Sequence, residues 1–173
     1  FLGNTMVLGG TSGDDRLQAG QADDDTVWGD AGNDWIDGGN GNDIIYGGTG
    51  DDTVQDSGGD DIIHGQDGND TIDGGIGDDT IFGDAGDDFI NGGAGIDSVV
   101  GGDGNDIILG GEDDDELEGN AGDDWIEGGI GGDLLVGDQG APTGQVPLLA
   151  GNDVLDGGAG GDRMQGFSGD DIM

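Results

Sequence analysis

The sequence has no cysteine, one histidine and only two Lys or Arg side chains, against 41 acidic ones, so its formal net charge is −39. The lack of cysteine excludes disulfides, zinc–thiolate sites and thiol nucleophiles. The lack of positive charge excludes nucleic acid as a partner and disfavours anionic membranes, because a polyanion repels phosphate groups. No run of about 18 apolar residues occurs, so the sequence predicts no membrane span.

Glycine accounts for 46 of the 173 residues, and each glycine loses extra backbone entropy when it is ordered. Repulsion among the acidic groups also opposes a compact state. From composition alone we expect a disordered chain, unless a cationic partner supplies the free energy of folding. The sequence begins at Phe1 and stops at Met173 in the middle of a repeated pattern, so we expect it to be a segment of a longer polypeptide.

A nine-residue repeat occupies residues 10–173, after a lead-in of residues 1–9. Its pattern is Gly-Gly-x-Gly-x-Asp-x-aliphatic-x, as in residues 38–46. It recurs in 17 units, each with Asp at the sixth position and Leu, Ile, Val or Met at the eighth. A single residue, Ala19, and a predicted loop at residues 140–150 interrupt it. Such short, regular repetition is typical of a solenoid.

Each position of the repeat has a structural meaning. The glycines allow the backbone to turn sharply with a positive φ. Positions 7 to 9 predict a very short strand, in which position 8 faces the interior and positions 7 and 9 face outward. Two units would close one coil of 18 residues, and stacked coils would pair in parallel. The sequence therefore predicts an all-β fold, a right-handed parallel β-roll with two short-stranded sheets.

Stacking of the coils would place the sixth-position aspartates in two columns, with neighbours about 5 Å apart. Like charges at this distance repel each other strongly unless a divalent ion lies between them. Hard oxygen ligands at flexible spacing favour Ca²⁺ over Mg²⁺, which demands a smaller and stricter octahedron. Column 1 would consist of Asp15, Asp34, Asp52, Asp70, Asp88, Asp106, Asp124, Asp153 and Asp171. Column 2 would consist of Asp25, Asp43, Asp61, Asp79, Asp97, Asp115, Asp133 and Asp162.

The columns of nine and eight aspartates contain 8 + 7 = 15 gaps between neighbours. If each gap bound one Ca²⁺, up to about 15 ions would bind, and about 30 positive charges would offset most of the negative charge. The free energy of ion binding would then be the free energy of folding. We therefore expect a chain that folds only with its calcium.

The repeat resembles the RTX family, the hemolysin-type calcium-binding repeat, over residues 10–173. The resemblance implies that the first six residues of each unit bind Ca²⁺ between adjacent coils, through the sixth-position Asp and turn carbonyls. It also implies type I secretion of an unfolded bacterial chain, which folds in external calcium and is extracellular or located at the cell surface. Carbonyls expected in this role include those of Gly38, Asn40, Gly47, Thr49, Gly65, Asp67, Gly74, Ile76, Gly83, Gly92 and Gly101.

A looser resemblance concerns the parent protein. Residues 119–127, 140–142, 151–154 and 169–173 are similar to the RTX region of large bacterial haem-peroxidase-family proteins. The sequence carries no haem ligand or peroxidase motif. Its 17 equivalent aspartates also argue against a unique catalytic carboxylate pair. We therefore expect no catalytic site in this chain, whatever its parent does.

The outward ninth position distinguishes the two sheets. In the units of column 2 it is apolar and partly aromatic, whereas in the units of column 1 it is mostly polar. One interpretation is a cross-strand ladder that stabilises the roll. The other is a surface for docking another domain or a second roll, which would make the chain an interaction module, for example of an adhesin. The residues of this candidate interface are Trp28, Tyr46, His64, Phe82 and Val100.

Three departures from the pattern affect particular sites. Asp23 and Asp113 replace a turn glycine, so we expect distorted turns there. Asp56 and Ser57 replace the opening glycine pair of one unit, which puts its ion in doubt. The insertion at 140–150 precedes Asp153, and we expect an exposed loop and a weakened or missing ion there.

Overall fold

The computed structural model describes residues 5–20, 23–138, 151–167 and 169–173. In these residues the only regular elements are strands. The described part of the chain has no helix that is long and apolar enough to cross a membrane. The strands are β1 (Val7–Thr11), β2 (Arg16–Gln18), β3 (Thr26–Ala31), β4 (Trp35–Asp37), β5 (Ile44–Thr49), β6 (Thr53–Gln55), β7 (Ile62–Asp67), β8 (Thr71–Ile76), β9 (Thr80–Ala85), β10 (Phe89–Ala94), β11 (Ser98–Asp103), β12 (Ile107–Glu112), β13 (Glu116–Ala121), β14 (Trp125–Gly131), β15 (Leu134–Val136), β16 (Val154–Asp156), β17 (Ala159–Gly160) and β18 (Arg163–Gln165).

The strands alternate between two parallel sheets. Sheet A has the order β1-β3-β5-β7-β9-β11-β13-β15-β18, and sheet B has the order β2-β4-β6-β8-β10-β12-β14-β16, with β17 also paired to β14. Neighbours in a sheet are therefore two repeat units apart, as the 18-residue coil requires. The all-β parallel roll predicted from the repeat is confirmed.

The core is a stack of eighth-position side chains. Ile63 pairs with Ile45 and Ile81, each 18 residues away, and all three are fully buried. The same position is buried in every unit from Leu17 to Leu155. After Leu155, Met164 is only partly buried. Met173 is 67% exposed, and its unit forms only an isolated bridge instead of a strand.

Most strands are longer than the three residues that the sequence predicts. Strand β9, for example, continues through Gly83 and Asp84 to Ala85, and Asp84 pairs with Gln66 and Gly102 of the adjacent coils. The prediction was wrong because it ended each strand at the glycines. In a stack of identical coils, the main-chain groups of positions 1 to 3 also face their equivalents and pair with them.

The insertion at residues 140–150 lies outside the described residues, so the predicted loop is not characterised. The roll resumes after it, because β16 pairs with β14 and places Leu155 beside Ile126. Leu155 is 3% exposed and belongs to the same core. The core position is therefore kept across the insertion.

Candidate metal centres

The two aspartate columns lie where each turn leads into a strand. The members of column 1 precede strands of sheet B, as Asp88 precedes β10, and those of column 2 precede strands of sheet A, as Asp79 precedes β9. Each column member from Asp25 to Asp133, and Asp153, is at most 3% exposed. Asp15, Asp162 and Asp171, near the ends of the described chain, are half-buried. The structure thus brings together the carboxylates that the sequence predicts to be stacked.

Within a column, a hydrogen bond links each aspartate to the next. The main-chain N–H of Asp43 donates to Oδ1 of Asp61 at 2.6 Å, and that of Asp61 donates to Oδ1 of Asp79 at 2.9 Å. The link persists across the insertion, where the N–H of Asp124 donates to Oδ1 of Asp153 at 3.0 Å. One oxygen of each carboxylate therefore holds adjacent coils in register.

The second carboxylate oxygen has no such role in most of the column. It is buried and accepts no hydrogen bond from the described residues. A buried acceptor without a donor costs about 1–3 kcal/mol, and more when it is charged. This applies to Oδ2 of Asp34, Asp43, Asp52, Asp61, Asp70, Asp79, Asp88, Asp97, Asp106, Asp115, Asp124, Asp133 and Asp153.

The first column members differ. Oδ2 of Asp15 accepts the N–H of Thr11 at 2.6 Å, and Oδ2 of Asp25 accepts the N–H of Gly20 at 2.7 Å. In these first turns the chain itself supplies the donor. They are therefore weaker candidates for ion binding than the aspartates whose Oδ2 is buried without a donor.

Main-chain carbonyls point at the same place as the free carboxylate oxygens. A methyl group built on Gly47 would lie 2.6 Å from Oδ2 of Asp52 and also 2.6 Å from the carbonyl oxygen of Gly65 in the next coil. The carbonyls of Gly83, Gly92 and Gly101 approach in the same way the first glycines of units one coil earlier. Only glycine leaves room for this approach, and the converging oxygens suit a hard cation such as Ca²⁺.

The third-position carbonyls already accept one hydrogen bond. The carbonyls of Thr49, Asp67 and Ile76 each accept the N–H of a glycine in the preceding coil at 2.8 Å. A carbonyl oxygen has two lone pairs, so this bond leaves one for a cation. Their role as ligands, like that of Gly38, Asn40 and Gly74, stays a prediction.

Burial makes the column carboxylates hard to ionise without a cation. It raises the pKa of Asp79 to about 7; the hydrogen bond from Asp61 opposes the rise, and the charge of Asp61 adds to it. In column 1 the pKa of Asp88 rises to about 7 for the same leading reason. Burial and the charge of Asp61 raise the pKa of Asp56 further, to about 8. A bound divalent cation would reverse this balance.

Asp113 adopts a positive φ, like the turn glycines whose position it occupies. Its φ is 79°, whereas the glycines at the same repeat position from Gly32 to Gly104 have φ values of 120–143°, so the turn differs locally. Aspartate tolerates a positive φ better than most residues because its short side chain bonds locally. The column link beside it is intact, since the N–H of Asp97 donates to Oδ1 of Asp115 at 2.9 Å.

The outer faces of the two sheets carry different ladders. On sheet A the rings of Trp28, Tyr46, His64 and Phe82 stack in order, with centroids 6.1, 5.3 and 4.6 Å apart, and Val100 follows Phe82 in register. On sheet B polar residues pair, as in the 2.9 Å hydrogen bond from the amide of Asn91 to Asp73.

Sequence reasoning missed two contacts of charged groups on the outer faces. The guanidinium of Arg16 lies 3.5 Å from the ring centre of Trp35, although we expect only solvated charge there from the sequence. Their positions are adjacent in the β2–β4 register, so knowledge of the pairing would have revealed the contact. Nδ1 of His64 lies 3.1 Å from Oδ2 of Asp84 at the edge of the aromatic ladder.

Comparison with known families agrees with this geometry. A family model described as the RTX calcium-binding nonapeptide repeat (4 copies) matches residues 9–45, 20–54, 46–81, 55–90, 82–117, 109–143 and 149–173. A search of curated proteins finds no match. Because the family model covers well over half of the chain, and its calcium-binding repeats coincide with the two aspartate columns, the chain belongs to the RTX calcium-binding nonapeptide repeat family.

Proposed function

We propose that this chain is the calcium-responsive folding module of a secreted bacterial protein. An RTX solenoid is a structural, calcium-binding module and not a catalytic fold. The finer roles we assign are passage out of the cell unfolded, folding on contact with external calcium, and spacing of attached domains. Whether the parent is an adhesin or a peroxidase-type protein stays a prediction from sequence.

One observation carries this proposal: each buried column carboxylate after Asp25 uses Oδ1 to join two coils and leaves Oδ2 without a donor among the described residues. The fold thus aligns negative charge instead of dispersing it, and each coil adds more. A cation bound at Oδ2 would compensate two neighbouring carboxylates at once. Folding and calcium binding would then be a single equilibrium.

The charge balance supports the secretion role. The two columns form part of a chain with a net charge of −39, so a low-calcium compartment favours the expanded state. An unfolded chain is suited to transport through a narrow channel. Millimolar external calcium would then drive folding in one direction, outside the cell.

The test is far-UV circular dichroism of the chain during a calcium titration, after thorough removal of metal. We expect conversion from coil to β-structure with calcium, because the ions offset the column charges. Magnesium at the same concentrations should convert little of the chain, because it fits large oxygen sites poorly. A full β-spectrum in metal-free buffer would overturn the proposal.

A second candidate function is protein or surface recognition by sheet A. The observation that favours it is the continuous aromatic stack, in which Trp28 is 39% exposed. Ile62, on the same strand as His64, is 41% exposed. Exposed contiguous apolar surface often marks an interaction site. This role is compatible with calcium-driven folding, because it uses the outer face and not the columns.

A further inference from the structure

The unit that begins at residue 56 builds its turn differently from the others. Asp56 stands where the other 16 units have glycine, and its side chain is only 7% exposed. Its Oδ1 accepts the N–H of Ser57 at 2.5 Å and that of Gly58 at 3.2 Å. These two bonds fix the direction of the carboxylate. The remaining oxygen, Oδ2, is buried and accepts no hydrogen bond.

The free oxygen of Asp56 takes the place of a carbonyl oxygen. At Gly47 and Gly74, the space above the α-carbon is approached by the first-position carbonyl of the next coil, at 2.6 and 2.7 Å from a built methyl. At Gly38 the group that approaches is Oδ2 of Asp56. Oδ2 of Asp43 lies 2.8 Å from the same point. A carboxyl oxygen of a side chain has thus taken the place of a main-chain carbonyl oxygen in this gap.

Three carboxylates therefore meet in one gap of column 2. One oxygen each of Asp43, Asp56 and Asp61 lies within 4.8 Å of the others, and all three side chains are buried. In each of them Oδ2 lacks a hydrogen-bond donor. In column 1 the buried Asp138 lies near enough to Asp124 and Asp153 for its charge to raise the pKa of both, but these three do not meet within the same distance among the described residues. Among the described residues, this is the one group whose acidic side chains alone meet the distance expected around a metal ion.

We propose that Asp43, Asp56 and Asp61 form a three-carboxylate cation site that binds Ca²⁺ more tightly than the two-carboxylate gaps of the roll. The affinity of oxygen sites for Ca²⁺ rises with the number of charged ligands. This inference rests on the proposed calcium-binding function and deepens it. It also reverses the expectation from the sequence, in which the loss of the glycine pair puts this ion in doubt.

The test is competition between the full chain and a chromophoric chelator, which separates the tightest bound Ca²⁺ from the rest. We compare the unmutated chain with two variants. Asp56→Asn keeps the shape of the side chain and removes its charge, and Asp56→Gly restores the residue found in the other units. Both variants should weaken the tightest site by about tenfold or more, about 1.4 kcal/mol for each factor of ten. Circular dichroism at saturating calcium should show that both still fold.

The matched control is Asp60→Asn, in the same turn. Asp60 is exposed, and its Oδ1 accepts the N–H of Asp78 at 3.1 Å, a role that asparagine can keep. This control removes the same charge and should leave the tightest site unchanged. A third carboxylate also favours a trivalent cation over a divalent one. The preference for La³⁺ over Ca²⁺ should therefore fall in Asp56→Asn but not in Asp60→Asn.

The outcomes separate the two proposals. If Asp56→Asn keeps the tight site, a neutral side chain suffices at this position and the three-carboxylate site is overturned. The same conclusion follows if Asp60→Asn weakens the tight site equally, because the effect is then general charge. If the unmutated chain binds no Ca²⁺ at all, the proposed function itself fails.

Discussion

The main-chain N–H of Asp79 donates a 2.9 Å hydrogen bond to Oδ1 of Asp97, one coil further along, and Oδ2 of Asp97 accepts none. Each carboxylate in the middle of the roll thus has one structural oxygen and one oxygen available to a cation. This division lets a substitution separate the two roles, because asparagine keeps the first oxygen and loses the charge.

Replacement of Asp79 by Asn is expected to raise the calcium concentration at the folding midpoint by about tenfold, since it weakens the gaps on both sides. The fold at saturating calcium should persist, because Oδ1 can still accept the N–H of Asp61. The measurement is circular dichroism during a calcium titration. The control is Asp78→Asn, whose exposed side chain lies outside the column. Equal midpoints for the two variants would contradict the assignment.

Replacement of Gly83 by Ala is expected to disturb an ion gap without changing charge. The added methyl would meet Oδ2 of Asp88 and lie 2.6 Å from the carbonyl oxygen of Gly101. Crowding of this kind costs about 1–3 kcal/mol, and here it should appear as a higher calcium midpoint. Gly13→Ala is the control, because nothing lies within 4 Å of its built methyl. The idea fails if both variants shift the calcium titration equally.

Acid should stabilise the roll when no metal is present. Burial raises the pKa of Asp79 and Asp88 to about 7, and that of Asp52 to about 6, from the usual 3.8. Between pH 4 and 7 the folded state therefore binds more protons than the unfolded state, so its stability falls as pH rises through this window. Metal-free chain followed by circular dichroism should be more structured at pH 4 than at pH 7.5.

The same protons compete with calcium. Affinity for Ca²⁺, measured by titration calorimetry, should therefore be lower at pH 5.5 than at pH 7.5, and binding should release protons at the lower pH. Binding that is equally strong at both pH values, with no proton release, would show that the column carboxylates are not the ligands.

The aromatic ladder offers a separate test of recognition by sheet A. Replacement of Tyr46 and Phe82 by Ser should leave calcium-driven folding in place, because both side chains lie outside the core and columns. If the ladder is a docking surface, self-association in calcium, measured by analytical ultracentrifugation, should be lost. Gln55→Ser with Asn91→Ser, on sheet B, is the control. Unchanged association would leave the ladder with a stabilising role only.

The sequence was sufficient to predict the architecture because every unit repeats the same demands. Each unit has one aliphatic residue, such as Ile81, at its eighth position, and this side chain is buried only if it faces the interior of the coil. The stack of two sheets follows from this requirement. The pairing of Asp61 with Asp79 follows from the same periodicity. These features depend on spacing alone, which is visible in the sequence.

Other features depend on the direction of single groups, which spacing does not determine. Asp56 is visible in the sequence as a departure, but only the bonds from Ser57 and Gly58 show that its carboxylate turns into the gap. The positive φ of Asp113 is likewise set by its own turn, and the sequence spacing does not determine it. The length of the strands was missed because glycine is rarely part of a strand outside such stacks.

The 18-residue register allows the molecule to change length in only one kind of step. Deletion of 18 residues would shorten the rod by one strand spacing, about 4.8 Å. Each remaining strand would still pair with a strand of its own sheet. Deletion of nine would exchange the two faces for everything downstream, so that rings such as Phe82 would continue into the polar ladder of Asn91. A gene encoding this rod can therefore gain or lose whole coils without changing either outer face. Gain or loss of an odd number of units would mix the residues of the two outer faces.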